Sequence, residues 1–281
     1  MPITVRDFSY GIGGLELTGF GLAVVAAFVL AQIICVRELE RRGHPAEAGV
    51  IPDAVMAAVL GTIVGAKTYY VILTGDPGAF LSRGGFVYWG GFIGAVIACW
   101  IVIRAKKGNF LRIADVAGIA IAGGYAVGRT GCWAVGDDYG RPWNGPLAVI
   151  FPDGHPPTTA GVMSRAFGIE FPPDIASSEL IPVHPTQLYE VGMGLVMFLV
   201  LWRLRNHRHA EGWLLGAYCV LAGIERFIVE FFRAKDDRFF GGLTMAQLIA
   251  LAICAVGIGI MRWRRATGPG RPGVLAATPQ G

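Results

Sequence analysis

Seven mostly apolar stretches recur along the chain: Leu17–Val36, Asp53–Leu73, Tyr88–Ile103, Ile113–Val135, Thr186–Trp202, Trp213–Phe232 and Leu243–Trp263. A helix needs about 20 such residues to cross the hydrocarbon core of a bilayer. Each stretch therefore predicts a membrane span, and the pattern predicts an all-α polytopic membrane protein. The third and fifth are short, so they either tilt little or extend into the interface. Gly136 to Pro185 is the longest connection, rich in Pro and Gly and lightly acidic. At that length it is expected to pack as a small cap, with short strands around "PLAVIFP". After Arg265 the sequence "ATGPGRPGVLAATPQG" reads as a disordered tail. The expected organisation is one transmembrane domain over residues 1–265, with a cap at about 136–185, and a tail over 266–281.

The basic residues orient these spans. One set of connections holds Arg37, Arg41 and Arg42, then Arg104, Lys106, Lys107 and Arg112, then Arg203, Arg205 and Arg208, with Arg262, Arg264, Arg265 and Arg271 at the C-terminal end. The other side holds Arg6, Arg83, Arg141, Arg165, Arg233, Lys235 and Arg238, so the ratio is fourteen to seven. Cytoplasmic loops carry the excess of Lys and Arg. The N-terminus and the cap are therefore expected outside and the C-terminus in the cytoplasm.

Composition agrees with this reading. Hydrophobic residues make up 54% of the 281 residues and charged residues 16%, against roughly 25% charged in soluble domains. The net charge of +4 comes with no stripe of Lys and Arg interleaved with aromatics, so no nucleic-acid partner is expected. Cys35, Cys99, Cys132, Cys219 and Cys254 all lie in or beside apolar runs and form no CxxC pair. Neither a disulfide framework nor a zinc site is indicated. The first apolar run is long and lacks a basic leader, so it reads as a span and not as a cleaved signal peptide.

Three basic residues remain, each within or at the end of a span: Lys67, Arg129 and Arg226. An arginine at a helix centre costs at least ~2.5 kcal/mol on insertion scales, so each asks for a partner or a ligand. In "GRTGCWAVGDDYGRP", small residues explain close helix packing but not Arg129. A guanidinium near the outer leaflet can grip a phosphate with its planar fork. Asp137 and Asp138 are ordinary interface residues, or Asp137 orients Arg129 or holds a polar head group. In "ERFIVEFFR", Arg226 and Glu230 share one helix face, as a self-neutralising pair or as part of a phosphate clamp with Arg129. In "VHPTQLYE", His184 and Gln187 suit a helix cap, whereas Glu190 stands alone in an apolar helix. "GAKTYYVIL" offers Tyr69 as an interfacial anchor or a substrate contact. "GGFVYWGGFIGA" offers paired glycines beside Trp89, for packing or as a groove wall for an acyl chain.

Taken together and in order, "GAKTYYVIL", "GGFIGA", "GRTGCWAVGDDYGRP", "HPTQLYE", "ERFIVEFFR" and "LTMAQ" resemble the prolipoprotein diacylglyceryl transferase family of bacterial inner-membrane enzymes, from about Gly19 to Trp263. The resemblance implies a multi-pass inner-membrane transferase with seven spans. It implies transfer of a diacylglyceryl group from phosphatidylglycerol to the lipobox cysteine thiol of a prolipoprotein signal peptide. The products are a thioether and glycerol phosphate. By motif position, Arg129 and Arg226 are the essential arginines, Gly140 closes the signature and Glu230 is its acidic companion. Membrane lipids surround the protein, and no cofactor or metal is called for, since the arginine donors already serve the phosphate.

Four positions depart from the family pattern. Trp89 stands where the family has a histidine, Cys132 and Trp133 replace an Asn-Phe pair, and Thr18 replaces a tyrosine before Gly19. With the histidine gone, the base for the thiol is Asp137, Glu230 or Tyr88, or none is needed because a few per cent of a thiol ionises unaided. The competing readings are a related transferase with the same lipid donor and another acceptor, and a non-catalytic lipid-binding or transport protein. A transporter more often shows inverted repeats and broken spans.

The orientation is testable directly. Reporter fusions after Arg42, after Lys107 and at the C-terminus should read as cytoplasmic, and one near Gly161 as external. A cytoplasmic signal at Gly161 would overturn the span assignment.

Overall fold

The structure, a computed structural model, describes residues 2–12, 15–82, 85–234, 238–240 and 242–265. The expected tail at 266–281 lies outside the described residues, as do Arg83, Lys235 and Arg271 of the charge count. Among the described residues the order is β1 (Ile3–Thr4), β2 (Ser9–Ile12), β3 (Leu15–Thr18), α1 (Gly19–Arg41), α2 (Pro45–Ala48), α3 (Ile51–Thr74), a 3-10 turn (Pro77–Leu81), α4 (Tyr88–Ala105) and α5 (Phe110–Val135). Then follow β4 (Val149–Ile150), α6 (Ala160–Phe167), α7 (Thr186–Leu204), α8 (Trp213–Val229), β5 (Arg238–Phe240), β6 (Leu243–Thr244) and α9 (Met245–Trp263).

All seven apolar runs are helical. Six of the helical segments are long and apolar enough to cross a membrane, as an all-α polytopic membrane protein requires. The seventh, α8, has 17 residues, and the expectation that it runs to Phe232 is corrected. The chain leaves the helix after Val229 because Phe232 and Arg233 pair with the cap: Arg141 N donates to Phe232 O at 2.9 Å, and Arg233 forms an antiparallel bridge with Gly140. The first span likewise begins at Gly19, because Leu17 and Thr18 belong to the antiparallel β2–β3 pair.

The chain forms two compact units. Among the described residues, one comprises 2–31 and 118–265. In it α5, the most buried of the spans, is approached closely by its neighbours through glycines. A Cβ on Gly131 would lie 2.7 Å from Ala23 Cβ, one on Gly118 3.0 Å from Tyr218 Cβ, and one on Gly194 3.1 Å from Tyr125. α8 and α9 meet at Gly216 and Gly257, where an added Cβ would lie 2.8 and 2.6 Å from the opposing carbonyl oxygen. Thr244 and Gln247 of "LTMAQ" form a reciprocal capping box that starts α9.

The cap has its own apolar core of Tyr139, Val149, Phe151, Ala160, Met163, Ile181 and Val183. The expected strand in "PLAVIFP" is β4, which pairs in parallel with β1 and exchanges hydrogen bonds with Val183. Trp133, at the end of α5, packs edge-on against Phe151 at 5.6 Å and joins the span to this core.

In the second unit, residues 32–117, α3 and α4 cross on Gly61 and Gly65 against Gly90 and Gly94. A Cβ on any of the four would lie 2.2 to 2.5 Å from a backbone oxygen of the other helix. The glycines beside Trp89 therefore serve packing, while Trp89 itself is exposed and stacks edge-on with Tyr88. Tyr69, also exposed, has its Cβ where a side chain on Gly90 would have to go. Lys67 is buried and donates to Ser82 O at 2.5 Å while lying 4.5 Å from the Phe86 ring centre. That contact ties α3 to the following loop. Many of the basic connections are neutralised locally: Glu38 holds Arg41 and Arg42, Asp53 pairs with Lys106, and Glu47 with Arg112.

Gly94→Ala should destabilise the protein by about 1–3 kcal/mol, because its methyl has a carbonyl where it needs space. Gly192→Ala in α7, with nothing within 4 Å of the new Cβ, is the control. Equal thermal midpoints for the two variants in detergent would refute the close-packing account.

Candidate active site

Arg129 lies near the end of α5, with 14% of its side chain exposed. Its five donors explain why it is tolerated there. Nη2 pairs with Glu190 Oε1, Nη1 donates to Asp138 Oδ2 at 2.8 Å and to Cys132 Sγ at 3.3 Å, and Nε reaches the Tyr125 hydroxyl at 3.5 Å. Glu190, on α7, is fully buried. Its charge is therefore matched by Arg129 inside the bundle, not by water. The Tyr125 hydroxyl lies 3.2 Å from Glu190 Oε1 and 2.9 Å from Glu225 Oε1 on α8. Three helices thus converge on one buried polar group.

The loop after α5 completes it. Asp138, 40% exposed, gives one carboxylate oxygen to Arg129 and the other to Arg233 Nη2, each at 2.8 Å. Burial pushes its carboxyl up, but Arg233 and Arg129 outweigh that and hold it down at about 2. Asp138 has φ +53°, a conformation uncommon for a residue with a side chain, and it follows Gly136 at φ +65°. The strained backbone is held by α7: Thr186 Oγ1 donates to Asp138 O at 2.7 Å and Gln187 Nε2 to Asp137 O at 2.6 Å. Gly140 N donates to His184 O at 2.9 Å. A Cβ on Gly140 would lie 2.4 Å from Phe232 O, so the position admits only glycine without movement.

Several expectations change here. Asp138, not Asp137, orients Arg129. A single residue decides which carboxylate faces the helix end, and the left-handed turn at Asp138 selects it. The Asp137 carboxyl lies beside the Cys132 thiol, and its Oδ1 is buried without a partner. Burial raises its pKa, and the contact with Cys132 only partly offsets this. His184 and Gln187 do not cap α7. The cap residue is Pro185, with no side-chain bond, because Gln187 is turned to Asp137. His184 stacks on Trp143 at 4.4 Å, with Nδ1 3.2 Å from the Tyr189 hydroxyl. Burial and Arg141 hold its pKa below the usual imidazole range.

Arg226 and Glu230 do pair, at 2.7 Å. Glu230 Oε2 is also 4.0 Å from Arg233, which links Arg226 to the Asp138 side of the group. The arginine that shares a carboxylate with Arg129 is Arg233, which the charge count assigns to a loop. Its signal in the sequence is its place one turn after Glu230. Tyr125 and Glu225 are also new; nothing in their spacing separates them from core and interface residues. Tyr69 and Trp89 belong to the second unit. The Cys132, Asp137 and Asp138 ligand atoms lie within 4.8 Å of one another. However, Arg129 already donates to two of the three, so the set is poorly suited to a cation.

Asp138 generates a pH prediction. Its carboxyl has a lowered pKa in the folded protein, so it contributes stability above its ordinary value of 3.8, and that contribution is lost as pH falls toward about 2. Asp138→Asn should melt below wild type at neutral pH, and the difference should close through this window. Thermal melts over an acid series check it; a gap independent of pH would mean that the ion pairs contribute nothing.

Comparison with known proteins gives a consistent result. A phosphatidylglycerol–prolipoprotein diacylglyceryl transferase of Chlorobaculum tepidum is 28% identical over 94% of this chain and 92% of its own length. One of Finegoldia magna is 30% identical over 89% and 92%, and one of Erwinia tasmaniensis is 28% identical over 90% of each. The family model for prolipoprotein diacylglyceryl transferase matches residues 8–263, nearly the whole chain, and the chain belongs to that family.

Proposed function

We propose that the protein transfers the diacylglyceryl group of phosphatidylglycerol to the lipobox cysteine thiol of a prolipoprotein. It would do so in the bacterial inner membrane, with the cap outside and the C-terminus in the cytoplasm. The observation that carries this reading is the Asp138 carboxylate, whose two oxygens are each gripped by a different guanidinium, Arg129 and Arg233. It is the most exposed carboxylate of the group, and a phosphate presents its two unesterified oxygens in the same fork. Phosphatidylglycerol would displace Asp138 and leave its phosphate between the arginines, with Arg226 and Glu230 behind them.

The chemistry then follows from charge. The thiol sulfur attacks the glycerol carbon of the diacylglyceryl group, the C–O bond to phosphate breaks, and glycerol phosphate leaves. Negative charge grows on the phosphate oxygen, where Arg129 is already aimed, so little reorganisation is needed. Asp137 is the base we assign to the thiol proton. It is outside the span and carries an unpartnered oxygen beside the Cys132 thiol, and burial raises its pKa, which makes it a stronger proton acceptor than an ordinary carboxylate. Glycerol phosphate takes up the proton on release. Gly140 keeps the loop closed against Phe232 and His184; Gln187 and Glu190 hold Asp137 and Arg129; Cys132 accepts from Arg129. Tyr69 and Trp89 are proposed lipid contacts.

Mass spectrometry of a lipobox peptide incubated with purified protein and phosphatidylglycerol tests the reading. Arg129→Lys should lower turnover ~30- to 1000-fold, the effect of losing one transition-state donor, in protein that still folds. Asp137→Asn should abolish turnover and leave lipid binding intact. Turnover that survives Asp137→Asn and rises with pH through the thiol range would reassign deprotonation to the positive field. No diacylglyceryl thioether from folded wild type would sink the proposal and favour another acceptor.

A further inference from the structure

The charges around Arg129 leave two acids over, Asp137 in the loop after α5 and Glu225 within the bundle. Arg129, Arg233 and Arg226 pair with Glu190, Asp138 and Glu230. Among the described residues Glu225 has no ion pair, yet it is only 8% exposed. Its Oε1 lies 2.9 Å from the Tyr125 hydroxyl, and the same hydroxyl lies 3.2 Å from Glu190 Oε1. Arg129 Nε approaches that hydroxyl at 3.5 Å as a donor. A phenol carries one hydrogen, so it can donate to one carboxylate but not to both. If both acids were ionised, a carboxylate oxygen would face the phenol oxygen with no proton between them, in a buried place. Glu190 is held ionised by the guanidinium on its Oε1. The second proton that the geometry demands therefore belongs to Glu225, whose carboxyl group donates to the Tyr125 oxygen while Tyr125 donates to Glu190.

We propose that Glu225 is a neutral carboxylic acid in the resting protein, and that through Tyr125 it positions the Arg129–Glu190 pair and keeps its surroundings free of excess negative charge, so that an anionic phosphodiester can bind. Glu225 and Tyr125 are positioning residues; both act through Arg129. The groups facing Glu225 are Tyr125 and Arg129 from α5, Glu190 from α7 and Arg226 on its own helix. α9, packed alongside, carries only Cys254 and, at its far end, Arg262. Ionising Glu225 would place a second carboxylate beside the single charge of Arg129, close to where the phosphate lies. The phosphodiester keeps its own single charge throughout the neutral and alkaline range, so alkaline loss of binding reports on the protein. The consequence for the lipid rests on the transferase reading; the proton on Glu225 does not.

The test uses full-length protein in phosphatidylcholine nanodiscs, with infrared difference spectra and phosphatidylglycerol titrations over a pH series. The spectrum of wild type minus Glu225→Gln should contain the carbonyl stretch of a neutral carboxylic acid at neutral pH. Tyr125→Phe should shift that stretch by removing its hydrogen-bond partner, a change that a merely structural tyrosine would not cause. As alkali titrates the band away, wild-type affinity for phosphatidylglycerol should fall about 10-fold or more, while that of Glu225→Gln stays level. Absence of the band at a pH where the lipid binds, or affinity that is unchanged when the band is lost, overturns the proposal. If the band is present and neither protein binds phosphatidylglycerol at any pH, the neutral acid is upheld and the donor-lipid reading fails.

Discussion

The Arg129–Glu190 pair is the contact on which the membrane-embedded site depends. Glu190 has no route to water, and Arg129 is almost as deeply enclosed, so either without the other would be a buried uncompensated charge. Breaking such a pair costs about 3–5 kcal/mol. The pair therefore fixes α5 against α7. Once those helices are joined, the start of α7 is in place to hold the loop that follows α5. Thr186 and Gln187 take the carbonyls of Asp138 and Asp137, and the left-handed turn at Asp138 persists because both neighbours hold it. The strain is local, and it aims a carboxylate at two guanidiniums.

Glycine makes this convergence possible. Without Gly194 the face of α7 would not close on Tyr125, and without Gly140 the loop would not lie against Phe232 and His184. In the other unit the same device joins α3 to α4, and there it serves cohesion alone. In a bilayer the lipid tails are as apolar as the side chains, so close backbone approach replaces the hydrophobic effect as the source of helix cohesion. Polar ties such as Lys67 to Ser82 and the Thr244–Gln247 box then settle the helix ends.

The departures from the family pattern fit this geometry unevenly. Cys132 presents an acceptor to Arg129 Nη1 at 3.3 Å, and Trp133 supplies an aromatic ring to the cap core. Trp89 cannot serve as a base, since an indole nitrogen donates and cannot accept a proton. The base proposed for the thiol is accordingly the Asp137 carboxyl, outside the span.

Hydropathy alone determined the helices, because a run of apolar residues long enough to span a bilayer has no other way to satisfy its backbone. It also marked Arg129, Arg226 and Glu190, since charge in an apolar helix is costly wherever it points. The cap was legible from the length of its loop and the apolar "PLAVIFP". Partner choice was not legible. Asp137 and Asp138 are adjacent and chemically alike, and only the backbone turn decides which one meets Arg129. Arg233 reads as a loop residue until Phe232 is drawn out of α8 to pair with Arg141. Tyr125 and Glu225 are 100 residues apart, and their contact exists only because α5 and α8 pack side by side. Periodicity and charge are properties of one segment and can be read along the chain. Which donor meets which acceptor depends on the rotation and depth of several helices at once, and tertiary packing alone settles that.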